Sequence, residues 1–123
     1  MTIAEVSKKL NISADTLRYY ERIGLIPAVP RNKSGIRNYD DNSIGWINFI
    51  KCMKKAGLTI EVLIEYVSLY QQGDSTKETR KSLLIEQRKE LLDRIEELKE
   101  TLEYLNKKIE KYDEITVNEK KLK

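Results

Sequence analysis

The sequence predicts a mainly α-helical protein in which two short helices and a wing-like hairpin precede more helix and end in one long helix. Three observations predict it. Two short capped helical patterns follow one another across a break at the N-terminus, a Pro-, Gly- and Asn-rich segment comes next, and residues 75–115 hold an apolar heptad with neither Gly nor Pro. A chain of 123 residues has room for one compact domain plus one long element, and not for a second domain with its own sizeable core.

The first helix is expected over about residues 2–10. Thr2 is an N-cap with Glu5 three residues on, a capping-box pattern, and Ile3, Val6 and Leu10 recur at helical spacing. Asn11-Ile12 breaks the pattern. Ser13 then caps a second run, in which Asp15 sits in the positive first turn, Leu17, Tyr20 and Ile23 form the apolar stripe, and Gly24 stops the helix. Two short helices joined by a tight turn are the outline of a helix-turn-helix. Residues 27–39 (PAVPRNKSGIRNY) place β-capable pieces on either side of Asn32-Lys33-Ser34-Gly35, which reads as a hairpin or wing. Helix returns from the N-cap Asp40 to Ala56, with Trp46, Phe49, Ile50 and Met53 as its expected buried face and Gly57 as its stop. Thr59 caps the next helix, whose apolar face is Ile60, Leu63, Ile64, Val67 and Tyr70, and Gln71-Gln72-Gly73-Asp74 ends it.

In the last segment Leu84, Leu91, Leu98, Leu105 and Tyr112 repeat every seven residues. Lys81, Arg88, Ile95, Leu102 and Ile109 fill a second series offset by four, so the pattern is that of coiled-coil core positions. Such a helix is roughly 60 Å long at 1.5 Å per residue, far too long to bury its stripe on a small N-terminal domain. It calls for a partner helix, and hence a homodimer with Leu84, Leu91, Ile95, Leu98, Leu102, Leu105 and Ile109 in the interface. The expected organisation is a winged helix-turn-helix domain with linking helices over 1–73, a dimerisation helix over 74–115 and a polar tail over 116–123.

Composition narrows the function. The chain has no histidine and one cysteine, which removes Ser-His-Asp and Cys-His catalysis, histidine metal sites and CxxC clusters. No metal, no cofactor and no enzymatic activity are expected. The scattered carboxylates lie mostly at solvated positions of the long helix. No apolar run approaches the ~20 residues needed to cross a bilayer, and the N-terminus lacks a signal-peptide h-region, so a cytoplasmic protein without a membrane partner is expected. A lone thiol fits a reducing compartment. The net charge is only +3, yet residues 1–57 carry ten Lys/Arg against five Asp/Glu, while residues 58–123 carry thirteen against fifteen. The basic excess therefore lies wholly in the N-terminal half.

In the second helix Leu17 and Tyr20 point inward, which leaves Thr16, Arg18, Tyr19 and Arg22 on the open face. Arg binds guanine edges bidentately or clamps phosphate, and Tyr offers phosphate a hydroxyl and sugar a flat ring. Such a helix could be an ordinary solvated one. Its place as second helix of a helix-turn-helix, just before a segment holding Arg31, Lys33, Arg37 and Tyr39, points instead to double-stranded DNA.

The stretches IAEVSKKLNISADTLRYYERIGLIP, IRNYDDNS and IKCMKKAGLTIEVL, in this order and spacing, resemble the MerR family of bacterial transcription regulators over about residues 1–70. The long helix matches the family in layout. The resemblance implies a winged helix-turn-helix dimer joined by an antiparallel coiled coil. It implies binding to an inverted repeat in a promoter, where distortion of an overlong spacer lets RNA polymerase engage both promoter elements. By position it places Arg18, Tyr19, Thr16 and Tyr20 on the recognition helix and Arg37 and Tyr39 on the wing, although the periodicity of the helix turns Tyr20 inward. Half-sites are expected about one helical turn or a multiple apart, ~34–36 Å per turn. Distorting such a site costs on the order of 1–6 kcal/mol, within reach of a protein conformational bias.

The chain lacks the cysteines of metal-responsive members and the added domain of multidrug-responsive ones. Cys52 resembles the single cysteine of the thiol- and aldehyde-stress (NmlR/AdhR-like) branch, proposed there to sense electrophiles. Lys51, Lys54 and Lys55 favour thiolate, whereas the helix C-terminus and apolar burial favour the neutral thiol, and a buried Cys would be plain core packing. The alternatives from other classes are an excisionase-like DNA-bending protein without an inducer and a coiled-coil adaptor that binds protein.

Overall fold

The computed structural model describes the backbone of residues 1–122 and the side chains of residues 1–115. Five α-helices follow in order: α1 (Ile3–Leu10), α2 (Ala14–Arg22), α3 (Asp41–Lys55), α4 (Ile60–Gln71) and α5 (Lys77–Leu122), with a 3-10 turn at Asp74–Thr76 before the last. Thr2, Ser13, Asp40 and Thr59 cap α1 to α4, each side chain accepting the backbone N–H three residues on. Thr2 and Glu5 complete the capping box, and the hydrogen bond from Thr2 holds the Glu5 carboxyl below its usual range. The 3-10 turn has no counterpart in the sequence reading. Thr76 there donates its hydroxyl to the carbonyls of Leu69 and Gly73, and accepts from Arg80 Nε, tying the first turn of α5 back to α4.

By contacts the chain forms two units, Met1–Ile85 and Glu86–Lys123. The first contains the core: Val6 from α1, Leu17 and Tyr20 from α2, Leu25, Ile26, Val29 and Tyr39 from the segment between α2 and α3, Ile47 and Ile50 from α3, and Leu58 and Leu63. A fully buried side chain of this kind stabilises the fold by about 1.5–3 kcal/mol relative to exposure. The buried line of α3 is Ser43, Ile47 and Ile50, one step round from the expected face. Trp46, Phe49 and Met53 are only half-buried, because the two aromatic rings turn toward Tyr66 and Tyr70 of α4 instead of into the centre.

The expected hairpin is reduced to an isolated antiparallel bridge, Arg31 to Arg37, and no strand occurs among the described residues. The Asn32 side chain takes over the closure. Its Oδ1 accepts from the N–H groups of Ser34 (2.9 Å) and Ile36 (3.0 Å), while Asn32 N–H donates to the Ile36 carbonyl at 2.8 Å. An Asn side chain that mimics a backbone turn makes a longer ladder unnecessary. Gly35 supplies the left-handed residue, with φ +79°. Beyond the bridge, Asn38 N–H reaches the Pro30 carbonyl and Tyr39 N–H the Met1 carbonyl, both at 2.7 Å, so the wing returns along the start of the chain.

The second unit is helix alone. Ile95, Leu98, Leu102, Leu105 and Ile109 are all exposed, Leu98 at 67% and Leu102 at 56%. Leu84 and Leu91 are half-buried. The helical backbone continues through Leu122, and the polar tail expected over 116–123 lies outside the residues whose side chains are described. Among the described residues no helix is long and apolar enough to cross a membrane, and no cluster of metal-ligating side chains occurs.

Candidate nucleic-acid interface

The turn between α1 and α2 is set by Asn11, which takes left-handed φ 54° and ψ 49° and donates its N–H to the Ser7 carbonyl. Asn tolerates this conformation better than most residues. The reversal presents α2 with one face in the core, through Leu17 and Tyr20, and the other in solvent, through Arg18, Tyr19 and Arg22. Arg18 pairs with Asp15 at 2.9 Å across one turn, a largely exposed contact that leaves the guanidinium free to exchange partners. Arg22 lies 5.4 Å over the Tyr19 ring and braces it. Thr16 is half-exposed, and its hydroxyl oxygen accepts from Ser13 Oγ at 2.8 Å, so it also belongs to the cap of α2.

Two expected contact residues are placed otherwise. Tyr20 is 5% exposed and Tyr39 1% exposed, and both belong to the core cluster. The inward stripe of α2 requires the first. The second ends the wing at the point where the chain turns into α3, and there its ring seals the core. Its hydroxyl is buried without a hydrogen-bond partner among the described residues, and burial pushes the phenol pKa up.

The wing is locked to α2 by Glu21, which the sequence reading did not single out. One carboxylate oxygen accepts from Arg37 Nε at 2.6 Å and the other from the Val29 N–H at 2.8 Å. Burial opposes the charged form, but the bonds from Arg37 and Val29 outweigh it and hold the carboxyl below its usual range. Arg37, expected as a wing contact, is therefore half-buried and committed to Glu21. Arg31 is exposed and donates to the Gly35 carbonyl at 2.8 Å, and Lys33 stands exposed at the wing tip. The open surface thus joins Arg18, Tyr19 and Arg22 of α2 to Arg31 and Lys33 of the wing, with Glu21–Arg37 as the strut between them. A charge pattern of this kind, four cations beside one aromatic ring, suits a phosphate backbone with base edges beneath it.

Cys52 lies in the last turns of α3 and is exposed, which removes the reading of it as core packing. Two of its neighbouring lysines are engaged elsewhere. Lys51 donates to the Leu10 carbonyl at the end of α1 (2.7 Å), and Lys54 sits 5.2 Å over the Tyr20 ring.

Comparison with known proteins bears on the family and the fold. The model of the MerR helix-turn-helix regulatory protein family matches residues 1–69, and that of the MerR DNA-binding region matches residues 44–108. The transcriptional regulator AdhR of Bacillus subtilis is 56% identical over 76% of this chain, an alignment that spans 66% of AdhR itself. A crystal structure of a MerR family transcriptional regulator from Listeria monocytogenes superposes with a TM-score of 0.89 at 49% identity, covering 92% of this chain and 86% of that one. HiNmlR, a family regulator lacking the sensor domain and solved bound to promoter DNA, superposes with a TM-score of 0.84 at 34% identity over 92% of this chain and 90% of its own. Sequence and fold together place this chain in the MerR family of regulators, beside AdhR and the NmlR-like members.

Proposed function

We propose that the protein is a transcriptional regulator that binds an inverted repeat in promoter DNA as a homodimer. The observation that carries this is the exposure of Arg18, Tyr19, Arg22, Arg31 and Lys33 on α2 and a wing that the half-buried Glu21–Arg37 strut ties to α2. Arg18 and Tyr19 reach base edges and flanking phosphates from α2, Thr16 supports them at its start, and Arg31 and Lys33 grip the backbone from the wing. Arg37 and Tyr39 act from behind as positioning residues, and Tyr20 does the same from the core.

The dimer joins through antiparallel pairing of α5, which covers the stripe from Leu84 to Ile109 that a single chain leaves largely exposed. One dimer then carries two α2 helices, one for each half-site, and a change in the α3–α5 region alters their spacing on the DNA. Distortion of the promoter in this way changes its fit to RNA polymerase. An exposed Cys52 on α3 is open to an electrophile such as an aldehyde. Footprinting on the DNA flanking the protein's own gene, with and without an aldehyde, tests the proposal. Two protected half-sites whose central base pairs change reactivity with the aldehyde are expected; protection independent of sequence refutes it.

A further inference from the structure

Three lysines close α3, and the structure uses them differently. Ile47 and Ile50 lie on the buried line of the helix, and Lys51 and Lys54 follow them by four residues each, one turn further along the same side. Their stems therefore start beside the core while both side chains remain exposed. Lys51 Nζ crosses to α1 and donates to the Leu10 carbonyl at 2.7 Å. Lys54 Nζ crosses to α2 and sits 5.2 Å from the centre of the Tyr20 ring. Lys55, next in the chain, makes no such contact among the described residues.

Both targets belong to the helix-turn-helix. At its turn the N–H groups of Asn11 and Ile12 converge on the Ser7 carbonyl, so the last carbonyl of α1 is left to a donor from elsewhere. A cation there also meets the negative pole of the α1 dipole. Tyr20 anchors α2 in the core, and the ammonium over its ring adds a cation–π contact to that anchor. The two contacts fall on different helices. Together they fix how the pair is set on α3, where one contact alone would leave it free to pivot.

We propose that Lys51 and Lys54 are positioning residues for DNA recognition, two cations of α3 that set the angle of α1 and α2 and touch no phosphate. By charge alone they count among the DNA-facing excess of the N-terminal half. Engaged by Leu10 and Tyr20, they act on recognition through Arg18 and Tyr19, whose helix they hold. That effect rests on the DNA-binding function proposed above; the brace itself does not.

Lys51→Met keeps a long, helix-favouring side chain and removes its charge and its donors. Lys54→Gln does the same at the ring, and Lys51→Arg and Lys54→Arg restore a cation. In the free protein, amide exchange at Asn11 and Ile12 should quicken by about threefold to tenfold in Lys51→Met and return to the parent rate in Lys51→Arg. The ε-methylene protons of Lys54 should resonate upfield in the parent, over the Tyr20 ring, and stay there when promoter DNA is added. In mobility shifts, Lys51→Met and Lys54→Gln should each bind the matched promoter about threefold to tenfold more weakly, bind a scrambled duplex within about twofold of the parent, and keep the parent's salt slope. Turn exchange indifferent to Lys51→Met, or Lys54 protons at their ordinary position, overturns the brace. Equal weakening on both duplexes with a salt slope lower by about one unit makes the lysines phosphate contacts and overturns the proposal as well. Quickened exchange with parent-like affinity refutes the link to recognition. Parent protein that does not distinguish the two duplexes refutes the proposed function, and the free-protein measurements then decide the brace by themselves.

Discussion

Glu21→Gln keeps the size of the side chain, removes its charge and leaves one amide oxygen where two carboxylate oxygens stood. In the parent protein those oxygens accept from Arg37 Nε at 2.6 Å and from the Val29 N–H at 2.8 Å. The Glu21 and Arg37 side chains are 13% and 25% exposed, so water replaces little of what is lost. A hydrogen bond to a charged group contributes about 1.5–3 kcal/mol, and breaking a fully buried pair costs about 3–5. With one of the two bonds retained and the pair partly wet, a loss of about 1–2.5 kcal/mol is expected for Glu21→Gln, and about 2–4 for Glu21→Ala. Urea unfolding at fixed protein concentration measures it. Because the wing is displaced with the strut, promoter affinity should fall as well, although Glu21 is not on the open surface. The pH dependence has a definite sign: a carboxyl whose pKa is lowered on folding contributes stability above its ordinary value of 4.5, and that contribution fades as pH falls through the lowered value. Glu21→Gln should therefore lose its deficit relative to the parent in acid. The decisive comparison is a double-mutant cycle with Arg37→Gln. If each single variant loses less than about 0.5 kcal/mol and the two add, the pair is no strut and Arg37 is available to DNA.

Arg18→Ala and Tyr19→Ala should each weaken binding to the matched promoter by about 1–3 kcal/mol with the fold intact, whereas Lys33→Ala should weaken binding to all sequences and lower the salt slope by about one unit. Mobility shifts on matched and scrambled duplexes at several salt concentrations check both, and unchanged affinity in the α2 variants removes the recognition-helix assignment. Leu98→Glu places a carboxylate at the middle of the stripe in both copies of the dimer, so light scattering should find monomer or aggregate and operator binding should be lost. A dimer of normal affinity would locate the interface elsewhere. Cys52→Ser should keep dimerisation and basal DNA affinity but abolish the response to aldehydes in a reconstituted transcription assay. Since Cys52 is exposed, its melting temperature should stay within a few degrees of the parent's, and a retained response ends the sensing proposal.

The order of the α-helices and the starts of the first four were legible in the sequence because their signals are local. Thr2, Ser13, Asp40 and Thr59 announce four N-termini by side chains that reach only three residues along the chain, and all four act as caps. The inward placement of Tyr20 followed from the period of α2, and the structure upholds it over the position-based expectation of a DNA contact. The exposed stripe of α5 was equally plain, since a heptad is a repeat within one helix. What tertiary structure decided is wherever one residue's role depends on another far along the chain. Glu21 reads as an ordinary surface charge of α2 until the chain folds back sixteen residues later and brings Arg37 to it. Tyr39 reads as a wing residue until the wing returns along Met1 and closes its ring into the core. Trp46 and Phe49 have the spacing of a buried face, yet the partner they meet is the aromatic edge of α4, which no pattern within α3 encodes. Periodicity tells which residues share a side of a helix; only the packing of helices against one another tells whether that side meets the core, a groove or water.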